Sequence, residues 1–322
     1  MTVTARAHTN IALIKYWGKR DATLILPYTS SVSLTLADFY TDTTVRFDAT
    51  LNADTFTLDG QPQQTTKVSA FLDHVRHMAD MTTKAVVTST NHVPTAAGLA
   101  SSASAYAALA LAASRAAGLT LSEPALSRLA RRGSGSATRS VYGGLAIWHR
   151  GTDDQSSFAE ALPATTLPLR MLVVLVDKGP KPISSRNLMA NTVATSPYYP
   201  AWVTHNEKAA QQMVTALAED DFATIGHLTE QSSMQMHATI LASDPAFTYW
   251  APETLQAWAL VRQLRANGVP AYATMDAGPN VKILTLAPYV AQVQAALRPD
   301  FAGRVLETAP GPGAQILAEE DQ

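Results

Sequence analysis

The chain has 322 residues, 47% of them hydrophobic and 16% charged, which excludes a disordered segment and allows a sizeable core and two domains. Its 24 Lys and Arg against 26 Asp and Glu leave a formal net charge of −2; with no basic run, binding nucleic acid by phosphate neutralisation is excluded. The absence of cysteine removes disulfides, thiolate metal sites and a cysteine nucleophile.

The opening MTVTARAHTN has neither an apolar signal core nor a cleavage site, and the most apolar stretch, Ala103 to Ala117, holds Ser114 and Arg115. The expectation is a cytoplasmic protein without a membrane span. In chain order, Ser31–Leu36 and Thr43–Asp48 alternate at period two and read as strands, with Asp59-Gly60 marking a turn. From Lys67 the period changes: Val68, Phe71, Leu72, Val75 and Met78 share one helical stripe. Lys84–Thr90 is a short β-branched run, a buried strand. A loop over 91–98 leads into an alanine-rich helix closed by Gly118 at C′, and Ser122 is placed to cap a second helix ending near Arg132.

Gly143 and Gly144 precede a strand at Leu145–His149. The polar stretch 150–168 marks the crossing between expected domains at 1–165 and 166–322. Beyond it come a core strand at Met171–Val176 and amphipathic helices at Tyr199–Ala218, Asp221–Ala242 and Glu253–Ala266. Strands at Ala271–Thr274, Val281–Leu286 and Arg304–Glu307 close the chain. Strands and helices in both halves, joined by local hairpins, predict an α+β fold.

Four segments carry residue types suited to chemistry. In Pro94-Thr-Ala-Ala-Gly-Leu-Ala-Ser-Ser-Ala-Ser104, small residues remove bulk where a loop meets a helix start. An anion can then approach unpaired N–H groups and the positive end of the helix dipole. Ser101, Ser102 and Ser104 add hydroxyls for phosphate oxygens or Mg²⁺. No Gly-Lys-Ser/Thr follows, so this is not a Walker A loop, and the same small residues also suit close helix packing. Gly133-Ser-Gly-Ser-Ala-Thr-Arg-Ser140 offers more hydroxyls and, in Arg139, a planar fork for a carboxylate or phosphate; a surface ion pair is the plainer reading of one arginine.

In Asn10-Ile-Ala-Leu-Ile-Lys-Tyr-Trp-Gly-Lys-Arg-Asp21, Lys15 sits among apolar neighbours. Burial there is costly without an anionic partner, and snorkelling from a strand end is the alternative. Asp276 follows an apolar strand and precedes Ala277-Gly278-Pro279. A carboxylate so held can take or orient a hydroxyl proton, or simply form the turn. His74 and His77 read as a solvated helix face, and Met234, Met236 and His237 as helix packing. The helix after Ser104 holds no acid, so no carboxylate ligand for a metal is legible there.

Together these blocks resemble the GHMP kinase superfamily and, within it, the diphosphomevalonate decarboxylases. The similarity runs through Asn10–Ala12, Ile14–Asp21, Pro94–Ser104, Gly133–Ala137 with Arg139-Ser140, Lys181 with Ser184–Arg186, and Met275–Asn280, in family order over nearly the whole chain. It implies a two-lobed GHMP kinase fold, an α+β architecture with an N-terminal lobe of the ribosomal S5 domain 2 type and a C-terminal ferredoxin-like α/β sandwich. ATP and Mg²⁺ are expected at the lobe junction. The implied reaction is phosphorylation of the 3-hydroxyl of mevalonate 5-diphosphate by ATP, then loss of that phosphate with the carboxylate as CO₂, giving isopentenyl diphosphate.

Carried over residue by residue, Asp276 is the expected base or orienting carboxylate, Arg139 holds the substrate carboxylate, and Lys15 neutralises charge beside Asp276. Tyr16, Lys19, Ser136, Ser185 and Arg186 are expected to hold the diphosphate and substrate backbone, with Asn10 fixing Arg139. Ser102 joins the catalytic set. Pro94, Ala97, Gly98, Leu99, Ala100, Ser101, Ser102 and Ser104 are expected to cradle the ATP phosphates. The resemblance further implies a homodimer that binds small molecules and neither nucleic acid nor membrane. Two departures stand out: no glycine precedes Met189 where the family pattern leads one to expect it, and Thr138 replaces a frequent cysteine. The rivals are a mevalonate 3-kinase, a decarboxylase of the monophosphate, and a silent ATP or metabolite sensor. Asp276, Lys15 and Arg139 together argue against the kinase, and a sensor should have lost the acid or the arginine.

Overall fold

A computed structural model describes residues 1–93, 101–177 and 183–320. The first stretch folds as β1 (Thr2–Ile14), β2 (Lys19–Asp21), β3 (Leu26–Pro27), β4 (Ser31–Asp48), β5 (Thr55–Leu58), β6 (Gln61–Pro62), α1 (Thr66–Met78) and β7 (Lys84–His92). Then come α2 (Ser101–Ala116), α3 (Glu123–Gly133), a 3-10 turn over Gly135–Val141, β8 (Leu145–Trp148), β9 (Ala159–Ala161) and β10 (Leu169–Val174). The remainder holds α4 (Ser185–Thr195), α5 (Tyr199–Ala218), α6 (Phe222–Leu241), α7 (Pro252–Ala266), β11 (Tyr272–Met275), β12 (Val281–Leu286), α8 (Val290–Phe301), β13 (Val305–Thr308) and β14 (Gln315–Glu320).

The period-two pattern of the first fifty residues builds one large sheet in the order β14-β1-β4-β7-β5-β6, with β8 pairing β4 and β9 beyond it. Val3, Ala5, Ala7 and Val45 bury against Phe71 and Leu72 of α1 and against the alanines of α2; a helix of small residues can lie close on a sheet. The second sheet, β11-β12-β10-β13, is antiparallel throughout. Both its faces are covered. Leu172 and Val174 share a core with Val261 of α7 and Leu297 of α8, while Met171 and Val173 join Met213 of α5 and Ile225 of α6. That last core also takes in Ile11, Leu13 and Leu34 of the first sheet, so α5 and α6 link the lobes. Each fully buried aliphatic side chain contributes roughly 1.5–3 kcal/mol.

The pattern in the sequence places α1, α2, α3, α5, α6 and α7 within a few residues. It misses α4, whose Asn187, Asn191 and Thr195 blur the apolar stripe, and α8, which carries Pro299 inside it. It also misses β14, which pairs antiparallel with β1 from Thr2↔Glu320 to Arg6↔Gln315. The last strand therefore lies in the first sheet, although the expected division assigns 166–322 to the second lobe. No helix among the described residues is long and apolar enough to cross a membrane.

Two local features aim the chain at the lobe junction. The β1–β4 register shifts between His8, opposite Tyr40, and Asn10, opposite Thr35, and a bulge of this kind re-aims the side chains beyond it. Gly18 then takes φ +99°, and a Cβ there would lie 2.0 Å from the Tyr199 hydroxyl, which donates to the Trp17 carbonyl at 2.7 Å. Only glycine suits both demands.

Candidate active site

Lys15 follows β1, and the second lobe holds its backbone. Its N–H donates to Ser232 Oγ of α6 at 3.0 Å, its carbonyl accepts from Asn206 Nδ2 of α5 at 3.0 Å, and Ser232 donates to Asn206 Oδ1 at 3.1 Å. Asp276 follows β11, where Met275 N–H donates to Ser233 Oγ at 2.8 Å. Thr254 Oγ1 donates to the Pro279 carbonyl at 2.6 Å and fixes the far side of the turn. These ties bring Lys15 Nζ to 2.6 Å from Asp276 Oδ1, and Lys282 Nζ to 3.5 Å from Oδ2. The lysine side chains are 2% and 0% exposed and that of Asp276 is 21%, so the carboxylate is the member of the cluster that a solute can reach.

Burial lowers the pKa of Lys15; Asp276 opposes that shift, and Lys282 and Arg139 add to it. His237 of α6 packs its ring 5.0 Å from Trp250, the packing read from the sequence, but it also feels Lys15, Asp276 and Lys282. Burial first, and then Lys15, draw its pKa down to about 3, so the imidazole is neutral at physiological pH.

Arg139 is not a surface ion pair. It is 2% exposed, and no carboxylate pairs with it among the described residues. Its Nη1 donates to Ser31 Oγ at 2.6 Å and its Nη2 to Asn10 Oδ1 at 3.3 Å, while Nε has no hydrogen-bond partner there. Asn10 is fixed in turn: its Nδ2 donates to the Ser136 carbonyl at 2.9 Å and to Ser140 Oγ at 2.8 Å. Gly135 opens the turn because a Cβ there would meet Trp148 at 2.9 Å and the Tyr16 ring at 3.0 Å. Burial draws the Arg139 pKa down to about 10, against the pull of Tyr16 and Asp276, which leaves it cationic at neutral pH.

Tyr16 sets its ring edge-on to Trp148 with centroids 4.8 Å apart, and its hydroxyl has no hydrogen-bond partner among the described residues. Burial pushes its pKa above the ordinary tyrosine range, against Arg139 and Arg186, so it stays a neutral donor. Lys19 is half-buried, and its pKa is lowered by burial and then by Arg186. Among the described residues no carboxylate pairs with Lys19 or Arg186. Ser184 caps α4 by accepting from Asn187 N–H at 3.3 Å, which sets Ser185 and Arg186 in a first helical turn, where N–H groups and the dipole favour an anion.

A hydroxyl thread leads from this arrangement to α2. Ser102 Oγ lies 3.2 Å from Ser134 Oγ, and Ser134 Oγ 3.1 Å from Ser136 Oγ. Ser101 and Ser102 are exposed. Ser104 differs from the expectation: it is fully buried, with its hydroxyl 2.8 Å from Thr41 Oγ1 and donating to the Ser101 carbonyl at 3.2 Å. The packing reading holds for that serine. Pro94, Ala97, Gly98, Leu99, Ala100 and Lys181 lie outside the described residues.

No cluster of three or more His, Asp or Glu able to hold a metal occurs among the described residues. The exposed hydroxyls of Ser101 and Ser102 fit an ion held largely through substrate phosphates, the usual habit of Mg²⁺. Next to them a cavity of about 560 Å³ is lined by Lys67, Val68, Val87, Ala105, Tyr106 and Leu109. Sequence reasoning missed this cavity and also Ser134, Asn206, Ser232 and Lys282. Only Lys282 left a signal, as a lysine inside an otherwise apolar strand.

Two family models match the chain: the diphosphomevalonate decarboxylase-like N-terminal domain over residues 7–159, and the mevalonate 5-diphosphate decarboxylase C-terminal domain over residues 171–310. The diphosphomevalonate decarboxylase of Rattus norvegicus is 38% identical over 327 residues, covering 94% of this chain and 80% of its own length. The phosphomevalonate decarboxylase of Haloferax volcanii is 32% identical over 302 residues, 92% of each chain. The solved structure of MDDEF in complex with MVAPP, AMPPCP and magnesium aligns with a TM-score of 0.95 at 50% identity, covering 99% of each chain. With both lobes matched in sequence and the whole fold matched in space, the chain belongs to the diphosphomevalonate decarboxylase family.

Proposed function

We propose that this chain catalyses the ATP-dependent decarboxylation of mevalonate 5-diphosphate to isopentenyl diphosphate, through phosphorylation of the 3-hydroxyl and release of ADP, phosphate and CO₂. The observation that carries this reading is the meeting of Asp276 with Lys15 at 2.6 Å, beside Arg139, from three segments far apart in sequence.

Phosphoryl transfer depends on positioning and positive charge more than on covalent help from the protein. Asp276, the most accessible member of its cluster, takes or directs the proton of the 3-hydroxyl, and Lys15 offsets the charge that gathers beside it. Departure of the phosphate then builds cationic character at a tertiary carbon. Arg139 orients the substrate carboxylate for loss as CO₂, with its fork braced by Ser31 and Asn10. Tyr16, Lys19, Ser136, Ser185 and Arg186 hold the diphosphate end. Ser101 and Ser102 are the hydroxyls of this chain that would hold magnesium, which would supply charge neutralisation when bound with the nucleotide. The cavity beside Ala105 and Tyr106 takes the nucleoside. We place the enzyme in the cytoplasm as a homodimer; light scattering that returns the mass of a single chain would end the dimer assignment.

The Haloferax relative supports a second reading, decarboxylation of the monophosphate. Lys19 and Arg186, cations without a carboxylate partner among the described residues, favour two phosphates over one. The test supplies ATP with either substrate and measures ADP and CO₂. Equal yields with preference for the diphosphate are expected. Preference for the monophosphate would establish the second reading, and ADP without CO₂ would reduce the enzyme to a kinase.

Ser102→Ala separates nucleotide contact from packing. Its side chain is exposed and, among the described residues, hydrogen-bonds only to the Ser134 hydroxyl, so the melting temperature should stay close to that of wild type. Turnover should fall about tenfold, as for one lost hydrogen bond to a charged group worth about 1.5 kcal/mol. Lost stability with intact turnover would return Ser102 to a packing role.

A further inference from the structure

Lys282 occupies a place that the pattern of β12 reserves for an apolar residue. Val281 and Ile283 face the core of α7 and α8, and Leu284 faces that of α5 and α6; by alternation Lys282 shares the face of Leu284. It pairs with Val173 of β10 on one side and Thr274 of β11 on the other, so it stands inside the sheet and not at its edge. Its side chain has 0% exposure. An ammonium group there costs free energy that a methionine would not. Its Nζ lies 3.5 Å from Asp276 Oδ2 and donates to the Asn280 carbonyl at 3.3 Å, spanning both ends of the turn that presents Asp276. Lys15 holds the other carboxylate oxygen.

We propose that Lys282 is a positioning residue for the reaction: its charge on Oδ2, with Lys15 on Oδ1, keeps the Asp276 carboxylate ionised and in one orientation toward the substrate hydroxyl. The proposal rests on the reading of Asp276 as the group that takes or directs that proton. A carboxylate held at one oxygen can rotate the other or take up a proton there; occupation of both removes that freedom. Among the described residues, the charged and titratable groups around Asp276 are Lys15 at the end of β1, Lys282 on β12, Arg139 from the turn before β8 and His237 on α6. Since His237 is neutral, removing Lys282 takes from the carboxylate one of the positive charges that the described residues place around it. The plainer alternative is a structural tie, in which only the hydrogen bond to Asn280 matters.

Lys282→Met, Lys282→Gln and Lys282→Arg in the full chain separate charge from hydrogen bonding. Turnover, both KM values, the pH dependence of kcat and the melting temperature are measured with mevalonate 5-diphosphate and ATP. Met and Gln are expected to lower kcat about 10–100-fold, with the KM for ATP little changed. They should also move the acid limb of the profile to higher pH, because a carboxylate that loses a neighbouring cation protonates more readily. Arg should keep the limb near its wild-type position. Met should hold or raise the melting temperature, since an apolar chain of similar length replaces a buried charge.

Wild-type kcat and acid limb in Lys282→Gln, which retains a donor for Asn280, would overturn the proposal. So would a Met variant that melts earlier yet turns over normally while folded. Should the Met variant not fold, Gln and Arg decide. Asp276→Asn is measured alongside. If it keeps full turnover, the reading of Asp276 falls and takes the proposal with it. If it is inactive while Lys282→Gln is normal, only the role of Lys282 falls.

Discussion

Asp276→Asn should lower turnover by about 10²–10⁴, the usual contribution of a general base or orienting carboxylate. The amide keeps the size of the side chain and can accept one hydrogen bond from Lys15, but it loses the charge that draws the hydroxyl proton. ATP affinity, followed by fluorescence titration, should stay near wild type, because the proposed nucleotide site lies at α2 and the cavity beside it. Phosphorylation precedes decarboxylation, so ADP and CO₂ should fall together and remain near one-to-one. The asparagine also leaves Lys15 and Lys282 without their shared negative charge, and a lower melting temperature is expected. The assay therefore belongs well below the variant's melting point, where a loss of turnover reports chemistry. Full turnover in a folded Asp276→Asn enzyme would remove Asp276 from the proton-handling role.

The residues legible in the sequence are those whose neighbours already looked unusual. Arg139 lies in a run of glycine and serine, Asp276 stands before Ala-Gly-Pro, and Lys15 sits between apolar residues and an aromatic pair. The supporting residues were hidden by ordinary surroundings. Asn206 belongs to the polar run His205-Asn206-Glu207-Lys208, which reads as a solvated helix face, yet Asn206 alone of the four is fully buried. Ser232 looks like any helical serine until the end of β1 arrives against it. These contacts join α5 and α6 to β1 across some 190 to 220 residues of chain, and no periodicity encodes a partner so distant. The same holds for β14: six mostly exposed residues ending in two glutamates carry no sign that they close the first sheet. Local pattern defines faces and turns, whereas the cluster at Asp276 depends on which faces meet.

In the proposed mechanism Arg139 serves the other half of the reaction, and its replacement should separate the two products. Arg139→Gln keeps a planar polar end but removes the charge and the fork. A hydrogen bond to a charged group is worth about 1.5–3 kcal/mol, so loss of the contacts to the substrate carboxylate should reduce kcat/KM for mevalonate 5-diphosphate by about 10²-fold or more. Arg139→Lys should rescue little, because an ammonium cannot present two parallel N–H groups to a carboxylate. The discriminating quantity is the product ratio. On the proposed roles, Asp276 and Lys15 stay in place to support phosphoryl transfer while the carboxylate loses the group that aligns it for departure, so ADP should form in excess of CO₂. Burial already lowers the pKa of this arginine to about 10, and removing a buried cation should not by itself unfold the protein; thermal denaturation of the variant checks this. A folded Arg139→Gln enzyme with unchanged KM and one-to-one products would show that Arg139 braces Ser31 and Asn10 and leaves the substrate carboxylate to another group.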